Sequence, residues 1–194
     1  MAMNPRLTLA SGSPRRRELM AFLGIPFAVV PSGAEERAEG TGAERVRTLA
    51  RLKCDDVFAQ SGALPVLAAD TLVCVDDRVL GKPEDEEDAR AMLRLLSDRW
   101  HEVHTGVCLR LPDRRVLERV ETTRVKFTPL SEELIARYVA TGEPMDKAGA
   151  YAVQGISGMF VERIEGSPSN VIGLPMHAVR ALLEEAGIEI PLEE

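Results

Sequence analysis

A long hairpin is the feature of this 194-residue sequence that most limits its fold. Apolar residues alternate with others across residues 103–111, Pro112-Asp113 can turn the chain, and residues 116–127 lead back as a second strand. Segments with helical periodicity lie before and after this hairpin. Antiparallel strands interspersed with helices predict an α/β protein with a mixed sheet rather than an all-parallel one.

The other predicted elements alternate in type along the chain. Strands are predicted at residues 7–10, 65–69 and 159–164, with a short hairpin around Asp76-Asp77. Helices are predicted from Ser13-Pro14 to just before Gly24, and at residues 43–58, 85–96, 131–141 and 175–186. Residues 142–158 contain too many small residues to be regular throughout. Since neither a repeat nor a low-complexity linker interrupts the series, we expect residues 1–194 to form a single domain.

Composition excludes several classes of protein. Hydrophobic residues make up 45% of the chain and charged residues 28%, which is an ordinary globular balance. The formal net charge of −7 makes general nucleic-acid binding unfavourable, so no nucleic-acid partner is expected. An anionic ligand would need a local concentration of positive charge.

The sequence predicts a cytoplasmic protein without a membrane segment. Its apolar runs are far shorter than the ~20 residues that a membrane-spanning helix needs. At the start of the chain, charge follows the apolar stretch, the reverse of the order in a signal peptide. Cys54, Cys74 and Cys108 have no CxxC spacing and lie in apolar patterns, so we expect them to be reduced core residues.

The first predicted helix begins with an unusual accumulation of positive charge. Ser13 is a favourable N-cap and Pro14 a favourable first residue, but Arg15, Arg16 and Arg17 then occupy the first turn. Each cation there opposes the helix dipole by about 0.3–1 kcal/mol. A bound polyanion would reverse that sign, because free N–H groups and guanidinium groups would both face it. A solvated basic face is the alternative.

Two further charged residues occupy apolar patterns. Lys53 lies in the apolar stripe of the 43–58 helix, where it must either extend to solvent or meet a buried anion. Asp70 directly follows an apolar strand, and Thr71 adds a hydroxyl beside it. The carboxyl end of a strand is where α/β sheets place ligand-binding groups. A turn aspartate that accepts backbone N–H groups is the alternative for Asp70.

Two loops supply the other candidate groups. The 142–158 loop carries Asp146, Lys147, Tyr151 and Gln154, and Lys82 follows a short strand. The sequence contains no GxxxxGK[ST], GxGxxG, GxSxG or HExxH motif. The remaining carboxylates and cations suit metal-assisted attack of water on a phosphate ester.

Four segments together resemble the Maf family of nucleoside triphosphate pyrophosphatases. They read LASGSPRRREL, AADTLVCVDDRVLGKP, GEPMDKAGAYAVQG and NVIGLP, and they extend from residue 9 to residue 175 in the family's order. The resemblance implies an α/β fold like that of inosine triphosphate pyrophosphatases, with two lobes around a cleft. It also implies hydrolysis of a nucleoside triphosphate to the monophosphate and pyrophosphate, dependent on a divalent cation, Mg²⁺ or Mn²⁺.

The same resemblance implies a role for particular residues. The family's proton acceptor corresponds to Asp70, and its acidic position in the first loop corresponds to Glu36, so that Glu36 and Asp70 would hold the metal. The positions that bind the triphosphate correspond to Ser13, Arg16, Lys53 and Lys82. The positions that mark the subgroup acting on thymidine and uridine triphosphates (dTTP and UTP) correspond to Arg15, Thr71 and Gln154. Pro168 departs from the family, since an aromatic residue often stands there.

Base choice and cellular role remain open at this point. The Gln154 amide matches the edge of uracil or thymine, but guanine and hypoxanthine offer the same donor and acceptor, so a purine or modified-nucleotide pyrophosphatase is the alternative enzyme. A nucleotide-binding regulator without turnover is the other alternative, because the family's name comes from an association with septum formation. The resemblance also allows removal of modified pyrimidine nucleotides and a homodimer, which is common in the family.

Overall fold

A computed structural model describes residues 4–76 and 78–191. Its strands are β1 (Leu7–Leu9), β2 (Phe27–Val29), β3 (Val66–Val75), β4 (Arg78–Leu80), β5 (Trp100–Arg110), β6 (Val116–Phe127) and β7 (Val161–Glu165). Its helices are α1 (Pro14–Ala21), α2 (Gly42–Ser61), α3 (Glu86–Leu96), α4 (Glu132–Val139), α5 (Pro168–Ile172) and α6 (Met176–Glu185). The 142–158 loop is irregular, as predicted, and contains the short 3₁₀ turns Glu143–Asp146, Ala148–Ala150 and Ile156–Phe160.

The described strands form one mixed sheet, which confirms the predicted α/β fold class. Their order is β2-β1-β3-β5-β6-β7, and β4 pairs with β3 outside this path. β1 runs parallel to β2 and β3, whereas the pairs β3–β4, β3–β5, β5–β6 and β6–β7 are antiparallel. The predicted long hairpin is β5–β6, paired from Arg110↔Val116 to Trp100↔Lys126. In the predicted short hairpin, Val75 pairs with Arg78, and Asp77 lies outside the described residues.

The predicted end of β3 at Asp70 is wrong. β3 continues to Val75, and Asp70 pairs with Gly106 of β5 in the middle of the strand. The pattern was misleading because Asp70 and Thr71 interrupt an apolar run that resumes after them. Asp70 nevertheless lies beyond the carboxyl end of a strand, since the parallel neighbour β1 stops at Leu9, which pairs with Leu67.

The apolar core is divided at this point of β3. One cluster contains Leu67 and Ala69 of β3 and packs under α1 and α6. A second cluster contains Val73 and Val75 and packs under α3 and α4. The two clusters give the molecule its two lobes, and the polar pair Asp70-Thr71 lies between them.

α2 crosses the sheet close to Asp70 because a glycine faces it there. A Cβ atom at Gly106 would lie 2.2 Å from the carbonyl oxygen of Val46 in α2, so only glycine permits this approach. Cys54 and Val57 of α2 pack against Val66 in a third apolar cluster. This approach brings Lys53 of α2 to Asp70, the β3 residue that pairs with Gly106.

Three smaller features concern the cysteines, helix α5 and membrane-spanning helices. Cys54, Cys74 and Cys108 are buried and free, as expected of core thiols. Helix α5 was not predicted, because its five residues are too few to show a helical period. No helix within the described parts of the chain is both long and apolar enough to cross a membrane.

Candidate active site

A cleft of about 880 Å³ separates the two lobes. Every residue to which the resemblance assigns a role lines this cleft: Ser13, Arg15, Arg16, Glu36, Lys53, Asp70, Thr71, Lys82 and Gln154. Of the other candidates, Asp146 and Tyr151 also line it, whereas Arg17 and Lys147 do not. The ammonium of Lys147 instead binds the carbonyl oxygen of Glu143 at 2.6 Å.

A lysine between two carboxylates occupies the floor of the cleft. The Nζ of Lys53 lies 2.6 Å from Oδ1 of Asp70 and 2.9 Å from Oε1 of Glu36. Lys53 therefore meets a buried anion rather than extending to solvent. Asp70 is only 5% exposed, and its second oxygen, Oδ2, is buried without a hydrogen-bond partner among residues 4–76 and 78–191. Such an unpaired oxygen is free to accept a proton or to bind a cation.

The arginine-rich start of α1 forms one wall. Ser13 is the N-cap, as predicted, and its hydroxyl accepts the backbone N–H of Arg16. The Nε of Arg16 donates to the carbonyl oxygen of Gly173 at 2.7 Å, and Nη2 donates to Oγ1 of Thr71 at 2.9 Å. Burial lowers the pKa of Arg16, and the Asp70 carboxylate opposes that effect. Nη1 donates to Oγ of Ser11 at 3.4 Å. Since each terminal nitrogen of Arg16 carries two hydrogens and uses one, one N–H on Nη1 and one on Nη2 remain for a ligand.

The hydroxyl of Thr71 is occupied by contacts within the protein. Besides Arg16, it contacts Oγ1 of Thr105 at 2.9 Å, and Oγ1 of Thr105 in turn donates to the backbone oxygen of Asn170 at 3.3 Å. Thr71 thus joins β3 to β5 and to the α5 segment. The same hydroxyl lies 3.4 Å from the backbone oxygen of Gly173.

Thr105 and Asn170 are site-supporting residues that sequence reasoning missed. Both are fully buried, and the amide of Asn170 donates to Val103 O and to Thr123 Oγ1. The available signal was the hydroxyl of Thr105 on the apolar face of the predicted hairpin. It was inconspicuous because threonine is common in strands.

Two side chains reach the cleft without partners. Gln154 is exposed, and Lys82 follows β4; neither makes a side-chain hydrogen bond or ion pair within the parts of the chain that the structure describes. Both remain available to a ligand. The amide of Gln154 can donate and accept, and the ammonium of Lys82 can neutralise an anion.

A divalent cation is compatible with the carboxylates of the cleft. No cluster of three or more His, Cys, Asp or Glu residues occurs in the described chain. Mg²⁺ commonly binds one or two carboxylates and completes its shell with water and substrate phosphates. The two oxygens that contact Lys53, Oε1 of Glu36 and Oδ1 of Asp70, match that donor set, and Lys53 already shows that a cation is stabilised between these two side chains.

Comparison with known proteins identifies the family. A family model described as Maf-like protein matches residues 6–186, nearly the whole chain. The chain belongs to the Maf family. This confirms the resemblance on which the site residues were chosen.

Curated relatives of this Maf chain share one description. A dTTP/UTP pyrophosphatase of Methylobacillus flagellatus is 48% identical over 190 residues, which cover 96% of this chain and 95% of the relative. A dTTP/UTP pyrophosphatase of Thermococcus gammatolerans is 50% identical over 184 residues, which cover 95% of this chain and 98% of the relative.

Solved structures agree with the predicted fold. The Staphylococcus aureus Ham1 protein matches with a TM-score of 0.55 at 16% identity, over 93% of this chain and 98% of that one. A HAM1 protein from Coxiella burnetii matches with a TM-score of 0.53 at 16% identity, over 94% of this chain and 100% of that one. At such low identity the likeness shows the fold alone.

The departure from the family pattern at Pro168 has a local explanation. Pro168 is the first residue of α5, and Ser167 caps that helix. Proline is favourable at this position because the missing N–H has no helical partner there. Pro168 does not line the cleft, so the altered residue leaves the wall formed by Val171, Ile172 and Gly173 in place.

Proposed function

We propose that this chain, acting as a single Maf domain, hydrolyses nucleoside triphosphates to monophosphate and pyrophosphate, with dTTP and UTP preferred. The observation that carries the proposal is the buried Asp70 carboxylate, held on one oxygen by Lys53 and free on the other, at the floor of a cleft lined by cations. The relatives named dTTP/UTP pyrophosphatase, at 48% and 50% identity, support it.

In this proposal the triphosphate lies against the start of α1. The hydroxyl of Ser13 and the backbone N–H of Arg15 face it, and the dipole of α1 favours its negative charge. The N–H groups of Arg16 and Arg17 are already bonded to Ser13. The free N–H groups of Arg16 and the ammonium of Lys82 neutralise it from two sides. The positive charges of Arg15 and Arg16, which oppose the helix dipole, then become favourable.

Asp70 is proposed to take the proton from the attacking water. Lys53 holds Oδ1 at 2.6 Å, so the carboxylate cannot rotate freely and Oδ2 is left as the acceptor. A positioned general base of this kind accelerates proton transfer at the moment the water attacks. Pyrophosphate leaves with its charge neutralised by Lys53, Lys82 and Arg16.

Glu36 and Asp70 are the residues proposed to hold a divalent cation, Mg²⁺ or Mn²⁺. When bound, such an ion withdraws charge from the phosphate oxygens and helps to orient the water. Glu36 lies on a loop fastened to α2, because the carboxylate of Asp56 accepts hydrogen bonds from the Ser32 hydroxyl at 2.7 Å and the Gly33 N–H at 2.9 Å. That anchorage keeps Glu36 beside Lys53.

Base preference is assigned to Gln154, Arg15 and Thr71. Gln154 reads the base directly with its unpaired amide, whereas Thr71 acts by orienting Arg16 and the carbonyl of Gly173. Gln154 alone does not separate uracil from hypoxanthine, since both present a carbonyl beside an N–H. The volume around the base must provide that discrimination.

A panel of substrates tests the proposal. We expect purified protein with Mg²⁺ to release pyrophosphate from dTTP and UTP with kcat/KM values at least roughly tenfold above those for ATP, GTP, CTP and ITP. Pyrimidine triphosphates modified at carbon 5 belong in the panel, because their turnover tests the removal of modified nucleotides. A preference for ITP would contradict the assignment of dTTP and UTP and favour a purine nucleotide pyrophosphatase. Tight binding of a nucleotide without turnover would indicate a regulator instead.

A further inference from the structure

The turn that carries Gln154 is held by the hydrogen bonds of two polar side chains that do not line the cleft. Glu143 lies at the start of the 142–158 loop, and Ser157 lies near its end. Gln154 stands between them in the sequence and projects from the part of the loop that the two residues close.

The carboxylate of Glu143 joins the two ends of the loop. Its Oε2 accepts the backbone N–H of Ile156 at 3.1 Å, and its Oε1 accepts the backbone N–H of Ser157 at 3.4 Å. The same Oε1 lies 3.1 Å from the Tyr138 hydroxyl and 3.3 Å from the Ser157 hydroxyl. Burial raises the pKa of the Glu143 carboxyl, but the bonds from Ile156, Ser157 and Tyr138 outweigh it, and the pKa is lowered overall. An ionised carboxylate therefore closes the loop.

The hydroxyl of Ser157 closes a smaller turn around Gln154. It accepts the backbone N–H of Ala152 at 2.9 Å and donates to the backbone oxygen of the same residue at 3.0 Å. It also accepts from Tyr138 at 3.0 Å, and Ser157 is fully buried. Residues 152 and 157 are thus held together, and the backbone on both sides of Gln154 is fixed.

We propose that Glu143 and Ser157 are positioning residues that set base selectivity by holding Gln154 at a fixed place on the cleft wall. The name "clamp" is used below for Glu143 and Ser157 together. Which base Gln154 binds is taken from the proposed function. The placement of Gln154 itself rests only on the hydrogen bonds above.

The Gln154 side chain takes its position from the backbone turn that carries it, which the clamp and a bond from the Gly155 N–H to the Ala152 carbonyl at 3.0 Å hold together. It is exposed and makes no hydrogen bond within residues 4–76 and 78–191. An amide on a mobile turn can satisfy several base edges, whereas an amide on a fixed turn satisfies one. Loosening the clamp should therefore affect the choice among bases more than the hydrolysis step at Asp70.

Two variants loosen the clamp by different means. Glu143→Gln keeps the shape but presents an NH₂ group to donors that need an acceptor. Gly155→Ala adds a Cβ atom that would lie 2.4 Å from Oε1 of Glu143, so the carboxylate must move, while the φ of −103° at residue 155 suits alanine. Glu133→Gln is the matched control, because Glu133 is an exposed carboxylate of α4 outside the clamp.

The first readout is selectivity across the nucleotide panel. We expect the ratio of kcat/KM between the best base and the other bases to fall roughly tenfold in Glu143→Gln and in Gly155→Ala, mainly through a higher KM for the best substrate, with kcat within about twofold of wild type. Glu133→Gln should keep the wild-type ratio. An unchanged ratio in both clamp variants, or an equal loss of kcat for every base, would overturn the proposal.

The second readout does not depend on which nucleotide is the substrate. Amide hydrogen exchange of residues 152–157 should be at least roughly tenfold faster in both clamp variants, with exchange in β5 and β6 unchanged. Slow exchange at wild-type rates would overturn the clamp. If the wild-type protein prefers another base, the proposed preference for dTTP and UTP is wrong. The exchange rates, and the loss of that other preference in the clamp variants, still test whether the clamp positions Gln154.

Discussion

Replacing Asp70 by asparagine is expected to lower kcat for UTP hydrolysis at least roughly a hundredfold. Asparagine keeps the shape and can still accept the Lys53 ammonium, but its amide nitrogen cannot take a proton from water. Steady-state release of pyrophosphate measures the effect. Asp113→Asn, at the exposed turn between β5 and β6, is the matched control and should retain wild-type kcat.

The same variant should keep most of its stability. Lys53 remains paired with Glu36 at 2.9 Å, so no charge is left uncompensated in the cleft floor. The free energy of unfolding should therefore fall by at most about 2 kcal/mol.

An Asp70→Asn protein that turns over UTP at the wild-type rate would contradict the assignment of Asp70 as the base.

Replacing Lys53 by methionine is expected to cost both activity and stability. The Asp70 carboxylate would lose the partner of Oδ1, and its Oδ2 has none among the described residues, so a charge would be left buried and unpaired. Removing one partner of a buried ion pair typically costs about 3–5 kcal/mol. Urea unfolding measures this loss, and kcat should fall because the carboxylate is no longer held in place.

Two comparisons show whether the unpaired Asp70 carboxylate causes the loss of stability in Lys53→Met. Lys126→Met breaks the ion pair with Asp98, whose carboxylate is 65% exposed, and should cost less than about 1 kcal/mol. Adding Asp70→Asn to Lys53→Met should recover part of the lost stability, because the unpaired carboxylate is then gone. If Lys53→Met unfolds no more easily than Lys126→Met, the cleft floor is not the tightly coupled pair described here.

Local chemistry was sufficient to predict much of the fold and part of the site. The β5–β6 hairpin followed from alternation, and the start of α1 followed from Ser13 and Pro14. Lys53 could be singled out because a lysine in an apolar stripe must either extend to solvent or meet an anion, and the structure supplies two carboxylates. These signals are local, so they can be read along the chain without knowing what packs against what.

What could not be predicted depends on contacts between distant segments. The interior position of Asp70 in β3 is determined by pairing with β5, 36 residues later at Gly106, and a polar pair in an apolar run resembles a strand end. The support of Arg16 by Thr105 and Asn170 joins three segments far apart in sequence. The contacts of Glu143 with Ile156 and Ser157 close an irregular loop, for which no periodicity exists.

The position of the cleaved P–O bond tests whether the protein hydrolyses UTP to UMP and pyrophosphate. UTP is incubated with the protein and Mg²⁺ in water enriched in oxygen-18, and the products are separated and weighed by mass spectrometry. We expect one pyrophosphate for each UMP, with the heavy oxygen in UMP, because water attacks the phosphorus nearest the nucleoside and pyrophosphate leaves. UDP with orthophosphate, or heavy oxygen in the pyrophosphate, would contradict it.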